Sequence, residues 1–127
     1  MPLFLWPKTT QCGKLAAMHI NWEQFEAVDM RAGTIVDAQV FDKARRPAYK
    51  LWIDFGELGI KKSSAQITVL YEPQALIGRQ VVAVVNFPPK QIADFMSECL
   101  VLGVYNENND VVLLQPQQPV QNGGKVG

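Results

Sequence analysis

Histidine and cysteine are nearly missing from this 127-residue chain, which holds one His, at position 19, and two Cys, at positions 12 and 99. A catalytic triad or a histidine metal centre would have to be built on His19 alone. Cys12 and Cys99 stand far apart, with no CxxC and no neighbouring histidine. No disulfide scaffold or zinc site follows, and the reading is two reduced thiols in a cytosolic protein. Charge of one sign is lacking too, because 12 Lys and Arg balance 12 Asp and Glu. Indiscriminate binding to nucleic acid or anionic lipid relies on a cationic excess, so both are disfavoured, although a local basic patch stays open. Long apolar runs are absent. Leu3-Phe4-Leu5-Trp6 has no basic residue before it and falls short of the roughly 7 to 15 apolar residues of a signal peptide. No window approaches the roughly 20 that span a membrane, so the expected place is the cytoplasm, without membrane insertion. GxGxxG, Walker and GxSxG patterns do not occur, and the carboxylates are scattered. No catalytic residue, metal or cofactor is assigned and an enzyme is not expected; Ser63 and Ser64 read as polar strand residues facing a groove.

What is present is enough for one domain. The chain is 48% hydrophobic and 9% aromatic, a composition that can bury a core. A domain of this size hides only about two-thirds of its unfolded surface, which leaves room for a partner subunit. Residues 1–17, broken by Pro2, Pro7 and Gly13, read as an appendage. Asn21 with Gln24 three residues later makes a capping box and predicts a short helix over 22–28. Strands follow at 33–41 and 49–55, where Tyr49, Leu51, Ile53 and Phe55 alternate with polar neighbours. A third, weaker strand spans 60–68. Pro73 and Gly78 bracket a helical turn, and Val81 to Val85 reads as a central strand. After the break at Phe87-Pro88-Pro89, strands at 98–105 and 111–115 flank a turn at 106–110, and the tail from Pro116 runs as an extended strap. Several short strands, one short helix between the third and fourth and no crossover helix predict an all-β fold, a five-stranded Greek-key barrel of the OB type, with a split β-sandwich as the alternative. Such barrels bind extended ligands across one face, although fold alone does not establish function.

Two regions could bind. Positions 31–62 hold seven cations against four acids, and Arg45-Arg46-Pro47 falls in the loop joining the first two strands, beside an OB barrel's ligand face. Arg45, Arg46, Lys50, Lys61, Lys62 and Lys90 are the candidates for binding nucleic acid. Trp52, Phe55, Phe87 and Phe95 could stack bases, the first two reading as core. The second region is 86–98, a connection that keeps Phe87, Pro88, Ile92, Phe95 and Met96 outside a strand. It would expose an apolar contact patch unless a second subunit, a ligand peptide or residues 1–17 cover it.

Five motifs then stand out: Asp29-Met30-Arg31-Ala32-Gly33-Thr34-Ile35, Ser63-Ser64-Ala65-Gln66-Ile67-Thr68, Val84-Val85-Asn86-Phe87-Pro88-Pro89-Lys90-Gln91-Ile92-Ala93, Ser97-Glu98-Cys99-Leu100-Val101-Leu102-Gly103 and Asn122-Gly123-Gly124-Lys125-Val126-Gly127. Together they resemble the CsaA family of export-related chaperones, within the superfamily of OB-fold tRNA-binding domains appended to methionyl- and phenylalanyl-tRNA synthetases. The resemblance covers 18–127 and leaves 1–17 without a counterpart, as an extension or an upstream-start artefact. It implies an OB-fold homodimer that binds unfolded precursor polypeptides and cooperates with the preprotein-translocase ATPase. Phe87, Pro88 and Phe95 are the expected apolar lining of the peptide site, with Ser64, Gln66, Asn86, Ser97 and Glu98 as its polar positions. The tRNA-binding relatives carry several cations between the Asn and the Ser. Here only Lys90 stands there, with Asp94 added, which favours peptide over tRNA.

Overall fold

The computed structural model describes residues 18–127; the predicted extension, 1–17, lies outside the described residues. Helix α1 (Trp22–Glu26) opens the described chain on the foreseen capping box, Gln24 N donating to Asn21 Oδ1 and Asn21 N to Gln24 Oε1. The strands in chain order are β1 (Met30–Val40), β2 (Tyr49–Asp54), β3 (Ile60–Ala65), β4 (Gln80–Val84), β5 (Lys90–Ile92), β6 (Phe95–Ser97), β7 (Leu100–Val101), β8 (Gly103–Tyr105) and β9 (Val111–Leu113), with helix α2 (Pro73–Leu76) before β4. An antiparallel sheet in the order β3-β2-β1-β4-β7 curls into a nearly closed five-stranded barrel, the predicted OB architecture.

Period-2 patterning decides which face is inside. Tyr49, Leu51 and Ile53 are buried while Lys50, Trp52 and Asp54 stay half-exposed on the outer face. Ile35, Leu51, Ile53, Phe55, Leu76 and Val81 are fully buried, each stabilising the fold by about 1.5–3 kcal/mol. The register of β1 slips between Ile35 and Asp37, a bulge that bends the strand. Its first half pairs with β4 and its second with β2. Gly33 lies where a Cβ would come within 2.7 Å of Ile53 and Phe55, so only glycine lets β1 cross the core this closely.

The tail is the predicted strap, and it has a specific seat. Beyond Asp54, β2 no longer covers the early part of β1. Residues 122–126 take that edge: Gly123 N donates to Ala32 O, Ala32 N to Gly124 O and Val126 N to Met30 O. Thr34 Oγ1 donates to Asn122 Oδ1, and Arg31, ion-paired with Asp29 at 2.6 Å, donates to Gly123 O. Thus the first and last of the five motifs are partners in one structural joint.

Three expectations about strands need correction. The strand foreseen at 98–105 is two: β7 pairs with β4, and after Leu102 the chain leaves to pair as β8 with β9. At Gly103 a Cβ would lie 2.8 Å from Val112 O, so the β8–β9 hairpin can close tightly only there. The connection 86–98 is not free of strands either, since β5 and β6 form a hairpin with its turn at Ala93-Asp94. The third strand ends at Ala65 rather than 68. Among the described residues no helix is long and apolar enough to cross a membrane.

Candidate functional site

Strands β3 and β7 end the sheet order, so a seam separates them, and side chains close it. β3 carries Lys61-Lys62-Ser63-Ser64, too polar to zip shut by apolar packing. Lys62 N donates to Glu98 Oε1 at 2.8 Å, and Ser64 N to Ser97 Oγ at 3.1 Å. Ser63, 1% exposed, satisfies its hydroxyl by donating to Cys99 O at 2.9 Å, as a buried hydroxyl must. Glu98 N donates to Lys62 O at 2.7 Å. Burial pushes the Cys99 thiol up to about 12, Lys61 opposing the shift, so it is un-ionised and unreactive at neutral pH.

The β5–β6 hairpin folds over the outer face of the barrel. Phe95 meets Phe41 at 5.4 Å and Trp52 at 5.8 Å between ring centroids, both edge-on, and with Ala48 they make a satellite core. Lys50 Nζ lies 5.5 Å from the centre of the Phe41 ring and Lys62 Nζ 5.3 Å from that of Phe95. At the hairpin tip Asp94 receives a hydrogen bond from Lys43 at 2.9 Å. That bond is the main cause holding the Asp94 carboxyl below, and the Lys43 amine above, its ordinary value. Of the apolar patch expected at 86–98, Phe95 is therefore covered, by the β1–β2 loop and Trp52 of the same barrel, while Pro88 and Met96 stay exposed. Phe95, 6% exposed, is a foundation of the hairpin and not surface lining, a correction that follows from Phe41 and Ala48 reaching across to it.

Between the β1–β2 loop and the hairpin lies an open groove of about 890 Å³, within the range of ligand clefts. It brings together Ser64, Gln66, Phe87, Pro88, Ser97 and Glu98 from the predicted peptide set and Arg45, Arg46 and Lys90 from the predicted cationic set. Arg45, Arg46 and Lys90 enter no ion pair among the described residues. Lys50, Lys61 and Lys62 do not line the groove. Asn86 is also elsewhere: Oδ1 accepts from Asp29 N and Nδ2 donates to Ala27 O, stapling α1 to the end of β4. Lining residues that the sequence reading missed include Lys43, Gln91 and Leu100, while Ile92 comes from the expected apolar patch. Ile92-Ala93-Asp94-Phe95, two apolar residues flanking a two-residue turn, was the available signal for the hairpin that places them. Among the described residues no group of His, Cys, Asp and Glu could hold a metal ion.

A barrel with a polar seam, a hairpin across its outer face and a groove mixing cations with apolar side chains is a binding module in form. Residues 30–125 match the family of putative tRNA binding domains, and the chain belongs to that family as a CsaA-like member. It is similar to the chaperone CsaA of Bacillus anthracis, at 56% identity and a TM-score of 0.82 over 87% of this chain and 100% of that one. Its likeness to the CsaA chaperone of Picrophilus torridus is 46% identity with a TM-score of 0.80, covering 86% and 100%. It is also 36% identical over 104 residues to a methionine–tRNA ligase of Methanothrix thermoacetophila, covering 82% of this chain but only 15% of the ligase.

Proposed function

We propose that this chain is a cytoplasmic, ATP-independent chaperone that holds unfolded precursor polypeptides in the groove between the β1–β2 loop and the β5–β6 hairpin and hands them to the preprotein-translocase ATPase. Residues 18–127 form the working domain, 1–17 an extension, and the chain acts by binding and not by catalysis. One observation carries this reading: Phe87, Pro88 and Ile92 line the same open groove as polar Ser64, Gln66 and Ser97, in a chain matching two CsaA chaperones over their whole length. Apolar surface rimmed by polar groups is what an unfolded segment would cover. The measurement is suppression of aggregation of a denatured substrate. Wild type and the distant surface variant Leu58→Asp suppress it while Phe87→Asp does not; equal activity in all three rejects the groove as the client site.

A homodimer completes the proposal. Val104, Tyr105, Val112 and Leu114 leave an exposed apolar face on and beside the β8–β9 hairpin, which a second copy would bury. Light scattering gives twice the 14.2 kDa of one chain; a value for one chain rejects the dimer.

The second reading, binding of tRNA, is favoured by the family match over 30–125 and by Arg45, Arg46 and Lys90, which line one groove and enter no ion pair among the described residues. Phosphate-driven binding weakens steeply between about 50 and about 200 mM salt. A gel shift with bulk tRNA that is absent even at the lower salt removes this reading.

A further inference from the structure

We propose that the groove receives its polypeptide as an added strand on the outward edge of β3, with Ser64 as the docking residue and the Ser97 hydroxyl as a removable stand-in for the client's carbonyl. This rests on the chaperone reading above and specifies how that site recognises its ligand.

In a strand, the N–H and C=O of one residue point the same way, and alternate residues face opposite neighbours. Lys62 and Ser64 therefore face the seam. Lys62 is fully served, donating to Glu98 Oε1 and accepting from Glu98 N. At Ser64 the N–H donates to a side chain, Ser97 Oγ at 3.1 Å, so a hydroxyl sits where the carbonyl of a neighbouring strand belongs. Ser64, Gln66 and Ser97 all line the groove, which puts this substituted position in contact with ligand space. An incompletely laddered edge is a template for another chain. Main-chain pairing there gives affinity with little demand on side-chain identity, which suits a protein with many clients.

The exchange leaves no group stranded. A client carbonyl takes the Ser64 N–H, a client N–H donates to the Ser64 carbonyl, and the freed Ser97 hydroxyl rotates to a client or water partner, since it can both donate and accept. Glu98 marks where the added strand stops. A phosphate backbone fits this position poorly, because phosphate oxygens only accept and would leave the Ser64 carbonyl unserved.

The test uses the full chain and an extended peptide rich in Leu and Ser, with analogues in which one backbone amide at a time is replaced by an ester. Replacing the amide that pairs with the Ser64 carbonyl weakens binding about fivefold, while esters at unpaired positions leave it unchanged. Exchange of the Ser64 amide hydrogen slows in the complex. Ser97→Ala removes the stand-in and tightens binding several-fold. If every ester analogue binds like the parent peptide and the Ser64 amide stays unprotected, strand addition is overturned while client binding stands. If the parent peptide does not bind and tRNA does, both this inference and the chaperone reading fall.

Discussion

One side of the barrel is laced by backbone ladders and the opposite side by side chains. Between β2, β1 and β4 every pairing is main chain to main chain, over a floor of Ile35, Leu51, Ile53 and Val81. At the seam between β3 and β7, the oxygens of Ser97 and Glu98 accept from β3 and the hydroxyl of Ser63 donates to Cys99. Ladder bonds survive most substitutions because every residue but proline carries the same groups. Apart from the main-chain bond from Glu98 N to Lys62 O, the seam bonds exist only for particular side chains. Away from Gly33, the laced side can drift in sequence while keeping its shape; the seam cannot, and the candidate groove is on the seam.

Substitutions on the two sides sharpen this contrast. Leu51→Ala on the laced side leaves a cavity and costs about 2–5 kcal/mol, read as a lowered denaturant midpoint with an unchanged slope, and the groove's ligand affinity stays as it was. Ser63→Ala at the seam costs less, about 1–3 kcal/mol for a buried carbonyl left without its donor, but shifts the amide resonances of Ser97 and Glu98 and weakens peptide binding. If Leu51→Ala alters binding more than Ser63→Ala does, the contrast fails.

The smallest effect concerns the Lys43–Asp94 clip across the mouth of the groove. Both groups are exposed, so it adds little stability, but its pH window is defined. The Asp94 carboxyl is held below its ordinary 3.8 and the Lys43 amine above its ordinary 10.5. The clip is thus complete at neutral pH, is lost as pH falls through the lowered carboxyl value, and is lost again as pH rises through the raised amine value. By carbon NMR the Asp94 side chain titrates below 3.8, and Lys43→Ala moves that midpoint upward; an unmoved midpoint would show that the clip does not form in solution.

The barrel was legible where patterning is strong. Tyr49 to Phe55 alternates without interruption, Val81 to Val85 is apolar throughout, and Asn21 with Gln24 is a local signal needing no tertiary context. What escaped depends on contacts distant in sequence. Phe95 reads as exposed because nothing near it in the chain can cover it; Phe41 and Ala48 do so from the other side of the β1–β2 loop. Asn86 reads as a ligand contact only through the resemblance to tRNA-binding relatives, whereas here Ala27 and Asp29 consume its amide. The split of β7 from β8 turns on Gly103, whose need for close approach to β9 cannot be seen in a run of apolar residues.

The seat of the tail has a consequence for how the chain is made. The edge of β1 between Met30 and Thr34 is synthesised long before the residues that cover it, 122–126. Until those residues emerge from the ribosome, that edge of β1 is an open strand edge. The barrel closes that edge of β1 only once 122–126 have left the ribosome.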